Sequence, residues 1–372
     1  MQIVKMITDG SLREFSKIVR KKTKVVSVGS VKIGGDNPVV VQTMTNTLTT
    51  DIKGTLAQIQ RCVDAGSEIV RVSVPDKEST EAMVQIAKES PVPIVADVHF
   101  HYKRGIEAVM AGAKCIRINP GNIGSPERAR EVVKAVKDYG ASIRIGVNAG
   151  SLEERLLEKY KSPCPEALVE SAMDAVKILE DLDFFQTKIS VKASSVMLMV
   201  KSYELLSASC DYPLHLGVTE SGTRSIGTVR SSMGIGGLLM QGIGDTIRVS
   251  LSIEPEEEIL VAYDILKALN LRARGVNIVS CPSCARQQFD VCSVIDKIER
   301  ATTHVLKPIT VSVLGCVVNG LGEAAHTNIG VTGAGSGQHL VYINGKPDHK
   351  IPAGEDVADH VIKLILDIEN SQ

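Results

Sequence analysis

Three cysteines and one glutamate near the end of the chain have the types and spacing of ligands to a metal centre. Cys281 and Cys284 form a CPSC pair, and Cys316 begins the run CVVNGLGE, which ends at Glu323. Two thiolates on one tight turn and a distant third are typical of a chain that holds a metal ion or an iron–sulfur cluster. Because a cysteine is missing from the fourth position, the pattern predicts a reactive centre rather than a purely structural one.

The cysteine spacing by itself leaves other kinds of site open. A CxxC pair also occurs in zinc sites and in redox-active dithiols. A zinc site would use Cys281, Cys284, Cys316 and His326, whereas a dithiol would leave Cys316 without a role. The glycines around Cys316 favour a cluster, because they let the backbone approach a bulky inorganic core closely.

A second group of polar residues follows the apolar segments of the first two thirds of the chain. Its five cations are Arg71, Arg117, Arg144, Lys192 and Arg248. Its other members are Asp97, His99, Asn119, Asn148, Ser194, His215, Glu220 and Ser250. In β/α barrels the active site is built at the carboxyl ends of the strands, and guanidinium and ammonium groups suit phosphate oxygens. The pattern therefore predicts a pocket for a substrate with more than one phosphoryl group.

An internal layer of ion pairs is the alternative interpretation of these cations. Asp97 and Glu220 would then neutralise two or three of them. The carboxylates on these strands are too few for all five cations, and an uncompensated buried charge is costly. We therefore expect the remaining positive charge to meet a substrate. Glu220, which is set among the cations, is a candidate proton donor or acceptor.

The segments that carry these residues alternate between short apolar strands and amphipathic helices. Strands are predicted at 39–43, 69–74, 93–98, 115–119, 143–147, 189–192, 214–218 and 246–251. Helical spacing is clear at 55–65, 80–88, 126–137, 165–182 and 254–270. Eight β/α units over roughly 215 residues predict a (β/α)8 TIM barrel, and a doubly wound open sheet is the rival arrangement.

A smaller α/β domain is predicted after the barrel, and it carries the cysteines. Its strands are expected at 276–280, 309–314 and 340–343, and its helices at 288–300 and 356–369. The segment 316–323 is expected to be a glycine-rich loop, and GAGSG at 333–337 a hairpin. We expect a TIM-barrel substrate domain over 1–271, with 1–24 as a lead-in segment, and an iron–sulfur domain over 272–372.

Composition argues against several classes of function. The formal net charge is −1, so the global balance indicates neither nucleic acid nor an anionic membrane as a partner. No apolar run approaches the 18 or so residues of a membrane span, and the first residues lack the architecture of a signal peptide. Eight cysteines in 372 residues are too sparse for a secreted disulfide scaffold. We therefore expect a cytoplasmic location.

Ten motifs occur in order between about residues 24 and 335: VQTMTNTLTTD, RVSVP, ADVHF, RINPGNIG, RIGVNAGSL, SVKAS, GVTESG, GIGDTIRVSL, SCPSCARQ and GCVVNGLGEA. Together they resemble the 4-hydroxy-3-methylbut-2-enyl diphosphate synthase family of the non-mevalonate isoprenoid pathway, in its compact bacterial two-domain form. The resemblance implies an iron–sulfur oxidoreductase that acts on CH or CH2 groups and carries a 4Fe-4S cluster. The implied reaction is reductive ring opening and dehydration of 2-C-methyl-D-erythritol 2,4-cyclodiphosphate to (E)-4-hydroxy-3-methylbut-2-enyl diphosphate, with two electrons from flavodoxin or ferredoxin.

The resemblance also implies roles for individual residues. The implied cluster ligands are Cys281, Cys284, Cys316 and Glu323. The implied diphosphate-binding residues are Arg117, Arg144, Lys192, Arg248 and Ser250. Asn119 and Asn148 would contact the substrate, and Glu220 matches a carboxylate that transfers a proton. Arg71, Asp97, His99 and His215 lie in matching motifs. The chain departs from the family at Leu321, because the family usually has NGPGE where this chain has NGLGE.

The order of the elements also bears on assembly. A helix over 254–270 spans about 25 Å at ~1.5 Å per residue, and it returns the chain to the barrel face opposite the strand ends. The cluster domain would then begin at the far end from the pocket that it must serve. The simplest solution is a head-to-tail homodimer in which each cluster domain serves the partner barrel, and the resemblance implies the same. A non-redox zinc protein that binds a phosphorylated ligand and an iron–sulfur sensor without turnover are the alternative functions.

Overall fold

The structure is a computed structural model, and it describes residues 18–98, 102–119, 126–335, 337–352 and 354–371. The chain divides into two compact units, one that ends at Arg272 and one that begins at Ala273. Each unit has its own cluster of buried apolar side chains. Across the described ranges, no helix has both the length and the apolar character needed to cross a membrane.

The first unit is a nearly closed parallel barrel of eight strands, which is preceded by a short antiparallel hairpin. The hairpin strands are β1 (Val26–Val28) and β2 (Val31–Ile33). The barrel strands are β3 (Val40–Met44), β4 (Ile69–Ser73), β5 (Ile94–Asp97), β6 (Cys115–Ile118), β7 (Ser142–Asn148), β8 (Thr187–Lys192), β9 (His215–Leu216) and β10 (Thr246–Ile247). They follow the sheet order β8-β7-β6-β5-β4-β3-β10-β9, and a parallel bridge between Ile189 and Leu214 brings the two ends of the sheet together. The predicted TIM barrel is confirmed.

Helices connect the barrel strands, and several begin at side chains that satisfy the free N–H groups of a first turn. Asp51, Asp76 and Ser195 accept hydrogen bonds in this way. The helices are α1 (Ile52–Ala65), α2 (Lys77–Glu89), α3 (Tyr102–Met110), α4 (Pro126–Asp138), α5 (Glu154–Tyr160), α6 (Pro165–Glu180), α7 (Val196–Ser209), α8 (Arg224–Ser231), α9 (Gly237–Met240) and α10 (Pro255–Ala268). The five helices predicted for this region all form, with ends that shift by a few residues.

Strand alternation separates the apolar core from the polar interior of the barrel. On β4, Val70 and Val72 are fully buried in the large apolar cluster, so the intervening Arg71 points to the opposite face of the sheet. A smaller cluster joins hairpin residues to residues at or near the starts of β3 to β6, and thus occupies the amino-terminal end of the barrel. Arg272 also lies at this end, since its Nη1 donates to the carbonyl of Val39 at 2.9 Å.

The second unit is built on a mixed sheet of five strands in sequence order. These are β11 (Val276–Ser280), β12 (Ile309–Leu314), β13 (Ile329–Gly335), β14 (Gln338–Ile343) and β15 (Lys346–Lys350). The first three strands are parallel, and the last two pair antiparallel. The helices are α11 (Val291–Ala301), α12 (Val317–Ala324) and α13 (Val357–Asn370). The predicted strands and helices form, and β13, β15 and α12 are additions. Gly335 and Gln338 are partners in the antiparallel pair of β13 and β14, which agrees with the hairpin expected there.

The expectation of a glycine-rich loop at 316–323 is wrong, because most of this segment belongs to helix α12. Gly320 is buried where a Cβ atom would collide with the side chain of Thr332 on β13. The glycine therefore lets a helix pack closely on a strand, and it does not break the helix. Leu321 also lies inside α12, where a proline would remove a backbone N–H and clash with the preceding turn.

Candidate functional site

The polar residues at the carboxyl ends of the barrel strands line a pocket of about 290 Å³. Nine of the predicted site residues lie in its lining: Arg71, Asp97, Arg117, Arg144, Asn148, Lys192, Glu220, Arg248 and Ser250. The lining also includes Met44, Ser190 and Thr219, which the sequence analysis does not include. Strands from all around the barrel contribute, so closure of the sheet is what gathers these side chains.

Four predicted residues are not among those that line this pocket. His215 is fully buried on β9, and its Nδ1 lies 3.3 Å from the Thr246 hydroxyl. Ser194 is exposed beyond the end of β8. Asn119 donates from Nδ2 to the Ser151 hydroxyl at 3.2 Å. His99 lies outside the described residues.

One row of the barrel sheet sets charged residues side by side. Asp97 on β5 is the register partner of Arg117 on β6, Arg117 is the partner of Arg144 on β7, and Arg144 is the partner of Lys188 on β8. Partner residues on neighbouring strands project to the same face of a sheet. The row therefore places three cations and one carboxylate together inside the barrel.

Asp97 neutralises part of this charge. One of its carboxylate oxygens lies 3.3 Å from Arg117 Nη1, and the other lies 3.8 Å from Arg71 Nε. Arg117 Nη2 also donates to the carbonyl of Gly146 at 3.1 Å. The guanidinium of Arg71 contacts the sulfur of Met44, with Nη2 at 2.7 Å. These contacts fix the orientation of both arginines.

Glu258 on α10 lies beside Arg248. It is a buried carboxylate that the sequence pattern does not assign to the site. Its Oε2 is 3.5 Å from Arg248 Nη2 and accepts a hydrogen bond from the Thr43 hydroxyl at 3.1 Å. The N–H of Leu251 donates to Oε1 at 2.8 Å. Burial raises the pKa of Glu258, although Arg248 opposes this shift. In the sequence, the sign that Glu258 is buried was its position next to Ile259 on the buried stripe of α10. The acids of EPEEE suggested only a favourable interaction with the helix dipole.

Two cations of the pocket have no carboxylate partner among the described ion pairs. For Arg144, which is 1% exposed, Nε and Nη1 have no hydrogen-bond partner within the described residues. Burial, together with Arg144 and Arg248, lowers the pKa of Lys192 well below its ordinary value. Burial also lowers the pKa of Arg144, with Arg117 as the next cause. An anion in the pocket would compensate for the lost hydration of Arg144 and Lys192 and would offset the repulsion among the cations. The pocket therefore suits an oxyanion with several negative charges.

Glu220 lies at the exposed rim of this pocket, on the turn between β9 and α8. Its φ is 46°, a left-handed conformation that is uncommon for a residue with a side chain. The following Ser221 donates its hydroxyl hydrogen to the carbonyl of Ser250, and the N–H of Ser252 donates to the carbonyl of Gly222 at 3.0 Å. Unusual backbone conformations that the surroundings hold in place gather at functional sites. The backbone of this turn is thus held in place, and it sets Glu220 in the lining of the pocket that the cations share.

Two glycines, one on β7 and one directly after β9, make room for the cations. A Cβ atom on Gly146 would collide with the guanidinium of Arg117, and one on Gly217 would lie 2.7 Å from Lys192 Nζ. Neither position has a positive φ, so space and not backbone conformation is the constraint. The placement of the charged groups depends on the absence of side chains at these two positions.

We predict that Gly146→Ala weakens the binding of inorganic pyrophosphate about tenfold or more, because displacing Arg117 removes a charge-assisted hydrogen bond. Gly150→Ala is the matched control, since a Cβ atom there has no neighbour within 4 Å. Isothermal titration calorimetry gives both affinities, and thermal melting checks that both variants are folded. Equal affinities in the two variants would contradict this account of Gly146.

The predicted metal ligands lie near the carboxyl ends of two neighbouring parallel strands in the second unit. Cys281 directly follows β11, and Cys316 is the N-cap residue of α12, just after β12. The N–H of Gly315 donates to the sulfur of Cys281 at 3.4 Å. Ser283, inside the CPSC turn, has a φ of 60°. None of the cysteines is in a disulfide.

The four predicted ligands do not form one group in this structure. In the part of the chain that is described, no three His, Cys, Asp or Glu side chains are grouped so that they could hold a metal ion. Helix α12 explains the position of Glu323, because seven residues along a helix separate it from Cys316 by about 10 Å. The donor types nevertheless fit an iron–sulfur cluster. Three cysteine side chains outside any disulfide can supply thiolate ligands, and the N–H of Gly315 already donates to the sulfur of Cys281.

Two family models match the chain. The model described as "GcpE TIM-barrel domain" matches residues 23–263, and "GcpE protein C-terminal domain" matches residues 277–367. Together they span the barrel and the unit that carries the cysteines.

Curated relatives match nearly the whole chain. A protein from Gluconacetobacter diazotrophicus is 59% identical over 355 residues, which cover 95% of this chain and 93% of the relative. A relative from Gluconobacter oxydans has the same identity and coverage, and one from Rhodospirillum rubrum is 59% identical over 360 residues, with 95% and 94% covered. Each is named 4-hydroxy-3-methylbut-2-en-1-yl diphosphate synthase (flavodoxin). The family models and these identities show that the chain belongs to the GcpE family.

Proposed function

We propose that the chain catalyses the reductive ring opening and dehydration of 2-C-methyl-D-erythritol 2,4-cyclodiphosphate to (E)-4-hydroxy-3-methylbut-2-enyl diphosphate. The observation that carries this proposal is the excess of cations over carboxylates in a barrel-end pocket. The names of the relatives agree with a diphosphate product and with flavodoxin as the electron donor. The alternative of a non-redox zinc protein is not favoured by relatives with these names.

The cations of the pocket would bind the diphosphate group of the substrate. Arg144 and Lys192, which lack a carboxylate partner among the described ion pairs, would contribute the most to its binding. Arg248 and Arg71 would add charge from the other side of the pocket, and Arg117 would do so from its position beside Asp97. Ring opening breaks a C–O bond, and the departing phosphate oxygen gains negative charge. Fixed cations stabilise this charge without reorganisation. Asn148 and Ser250 line the same pocket, and we assign them hydrogen bonds to the substrate. We assign Asn119, which directly follows β6, a further contact with the substrate.

Glu220 would transfer the proton that the departing hydroxyl group needs. Its carboxylate is exposed at the rim and can exchange protons with water before substrate closes the pocket. The left-handed turn would hold the backbone of Glu220 at the rim, within reach of a substrate in the pocket.

We further propose that Cys281, Cys284, Cys316 and Glu323 hold a 4Fe-4S cluster. When it is bound, the cluster supplies the electrons that the reduction requires. The chain contributes three free thiols from the ends of adjacent strands and a carboxylate, which is a weaker ligand for iron than a thiolate. Free thiols suit the reducing cytoplasm, where we place the reaction.

The test of the proposed function is turnover by protein purified without oxygen. We expect brown protein with visible charge-transfer absorption, which converts the cyclodiphosphate when reduced flavodoxin is added. Mass spectrometry and phosphorus NMR would identify the linear diphosphate. Colourless protein that contains zinc would contradict the proposal. Brown protein that binds the cyclodiphosphate without turnover would instead indicate a sensor.

We predict that Glu220→Gln lowers turnover by about 100-fold or more, which is the usual contribution of a positioned acid or base. Iron and sulfide content should not change, because Glu220 lies in the barrel unit. Glu257→Gln is the matched control, since Glu257 is on the surface of α10 and pairs with Arg224 at 3.0 Å. Near-full activity of Glu220→Gln would remove this carboxylate from the mechanism.

We also propose a head-to-tail homodimer in which each cluster domain serves the barrel of the partner. The position of Arg272 supports it, because the last residue of the first unit lies at the amino-terminal end of the barrel, opposite the pocket. A cluster domain that serves the pocket must reach the carboxyl-terminal end of the barrel. A second copy provides this reach without a long connection.

We predict that two inactive variants complement each other. Cys316→Ala removes a proposed cluster ligand, and Lys192→Met removes a pocket cation. Co-expression of the two should restore up to about a quarter of wild-type activity per chain, because half of the random dimers are mixed and each has one intact site. Activity no greater than that of each variant alone would show that each chain serves its own pocket.

A further inference from the structure

Lys188 is a buried lysine inside the barrel that is not among the residues lining the pocket. Its relative exposure is 0%, and its Nζ has no hydrogen-bond partner within the described part of the chain. An unpaired ammonium group in an apolar interior is costly, and a lysine, unlike an arginine, avoids this cost by losing its proton. The residue therefore stands out as a group whose charge depends on its surroundings.

The register of the sheet places Lys188 directly beneath the pocket. Ser190 and Lys192 share its face of β8 by strand alternation, and both of them line the pocket. On the neighbouring strand its register partner is Arg144, which also lines the pocket. Two basic side chains at partner positions repel each other when both are charged. The charge on Lys188 is thus coupled to whatever anion Arg144 meets.

The charged and titratable groups around Lys188 offer little compensation. Burial lowers its pKa to about 8; the thiol of Cys115 on β6 opposes the shift, and Arg144 on β7 adds to it. On β9, His215 is also buried, its Nε2 has no partner among the described atoms, and Lys188 contributes to lowering its pKa. Asp97 is in the same row of the sheet but two strands beyond Arg144, beside Arg117.

We propose that Lys188 is a positioning residue of the diphosphate site, uncharged at alkaline pH when the pocket is empty and protonated when a diphosphate binds above it. This inference rests on the proposed function, because it requires a diphosphate at Arg144 and Lys192. The proton comes from the solvent and adds to the lone pair of Nζ, and no bond of the ligand changes. At alkaline pH the extra cation then supports Arg144 from below when the diphosphate is bound, without repelling it in the empty barrel.

The test is the number of protons that the cluster-loaded protein takes up when it binds inorganic pyrophosphate. Calorimetric titrations in buffers with different ionisation enthalpies measure this number at pH 7 and pH 9. With a pKa of about 8 in the empty protein, Lys188 should contribute roughly half a proton or more at pH 9 and much less at pH 7. Lys188→Met keeps the length of the side chain but should lose this uptake at pH 9.

Two further variants make the comparison specific. Lys201→Met removes an exposed lysine of α7 that pairs with Glu204 at 2.8 Å, and it should take up as many protons as the wild type. Lys188→Gln should behave as Lys188→Met does, and it replaces that variant if methionine prevents folding. The ionisation of pyrophosphate itself is common to all of these proteins and cancels in the comparison.

The outcomes separate this inference from the proposed function. If the wild type binds pyrophosphate but Lys188→Met takes up the same number of protons at pH 9, Lys188 has only a structural role and the inference is wrong. If the wild type does not bind pyrophosphate, the diphosphate site is wrong and the inference falls with it. A lower melting temperature with unchanged proton uptake would likewise count against it.

Discussion

The first unit depends on an excess of buried positive charge at one end of a closed parallel sheet. Asp97 and Glu258 offset the charge of Arg117 and Arg248, while Arg144 and Lys192 have no carboxylate partner among the described ion pairs. A barrel can hold such charges near one another because each is fixed on a separate hydrogen-bonded strand. The clustered charges lower the stability of the fold, and the apolar layer between the sheet and the helices compensates for this loss. The same repulsion favours, in the account proposed here, a ligand with several negative charges.

Most of the barrel could be predicted from the sequence, because an apolar strand followed by a polar residue is a local signal. The residues that such patterns cannot assign are those whose role depends on distant partners. Glu258 contacts Arg248, a residue of the pocket, from a helix that follows the last strand, and the acidic residues next to it in sequence suggested only a helix-dipole role. His215 belongs to the polar segments but is fully buried and does not line the pocket. The register of β9, which pairs His215 with Thr246, sets its depth in the barrel, and the sequence pattern does not give this register. Closure through Ile189 and Leu214 is equally non-local.

The second unit uses the same geometric principle as the first, because the cysteines that we propose as cluster ligands follow the carboxyl ends of parallel strands. The CPSC turn and the strands on either side could be predicted from sequence. Helix α12 could not, since Gly320 and Gly322 suggest a loop unless the close packing of Gly320 on Thr332 is known. With Leu321 rather than a proline at this position, nothing interrupts the helix between Cys316 and Glu323. The fourth proposed ligand therefore lies two turns away from the third.

The most direct test of the central claim is an anaerobic crystal structure with 2-C-methyl-D-erythritol 2,4-cyclodiphosphate bound. The account predicts that the diphosphate lies in the barrel-end pocket and that its oxygens contact Arg144 and Lys192, while Asp97 and Glu258 keep their partners. A ligand found elsewhere, or a pocket in which carboxylates turn inward to neutralise Arg144 and Lys192, would contradict it.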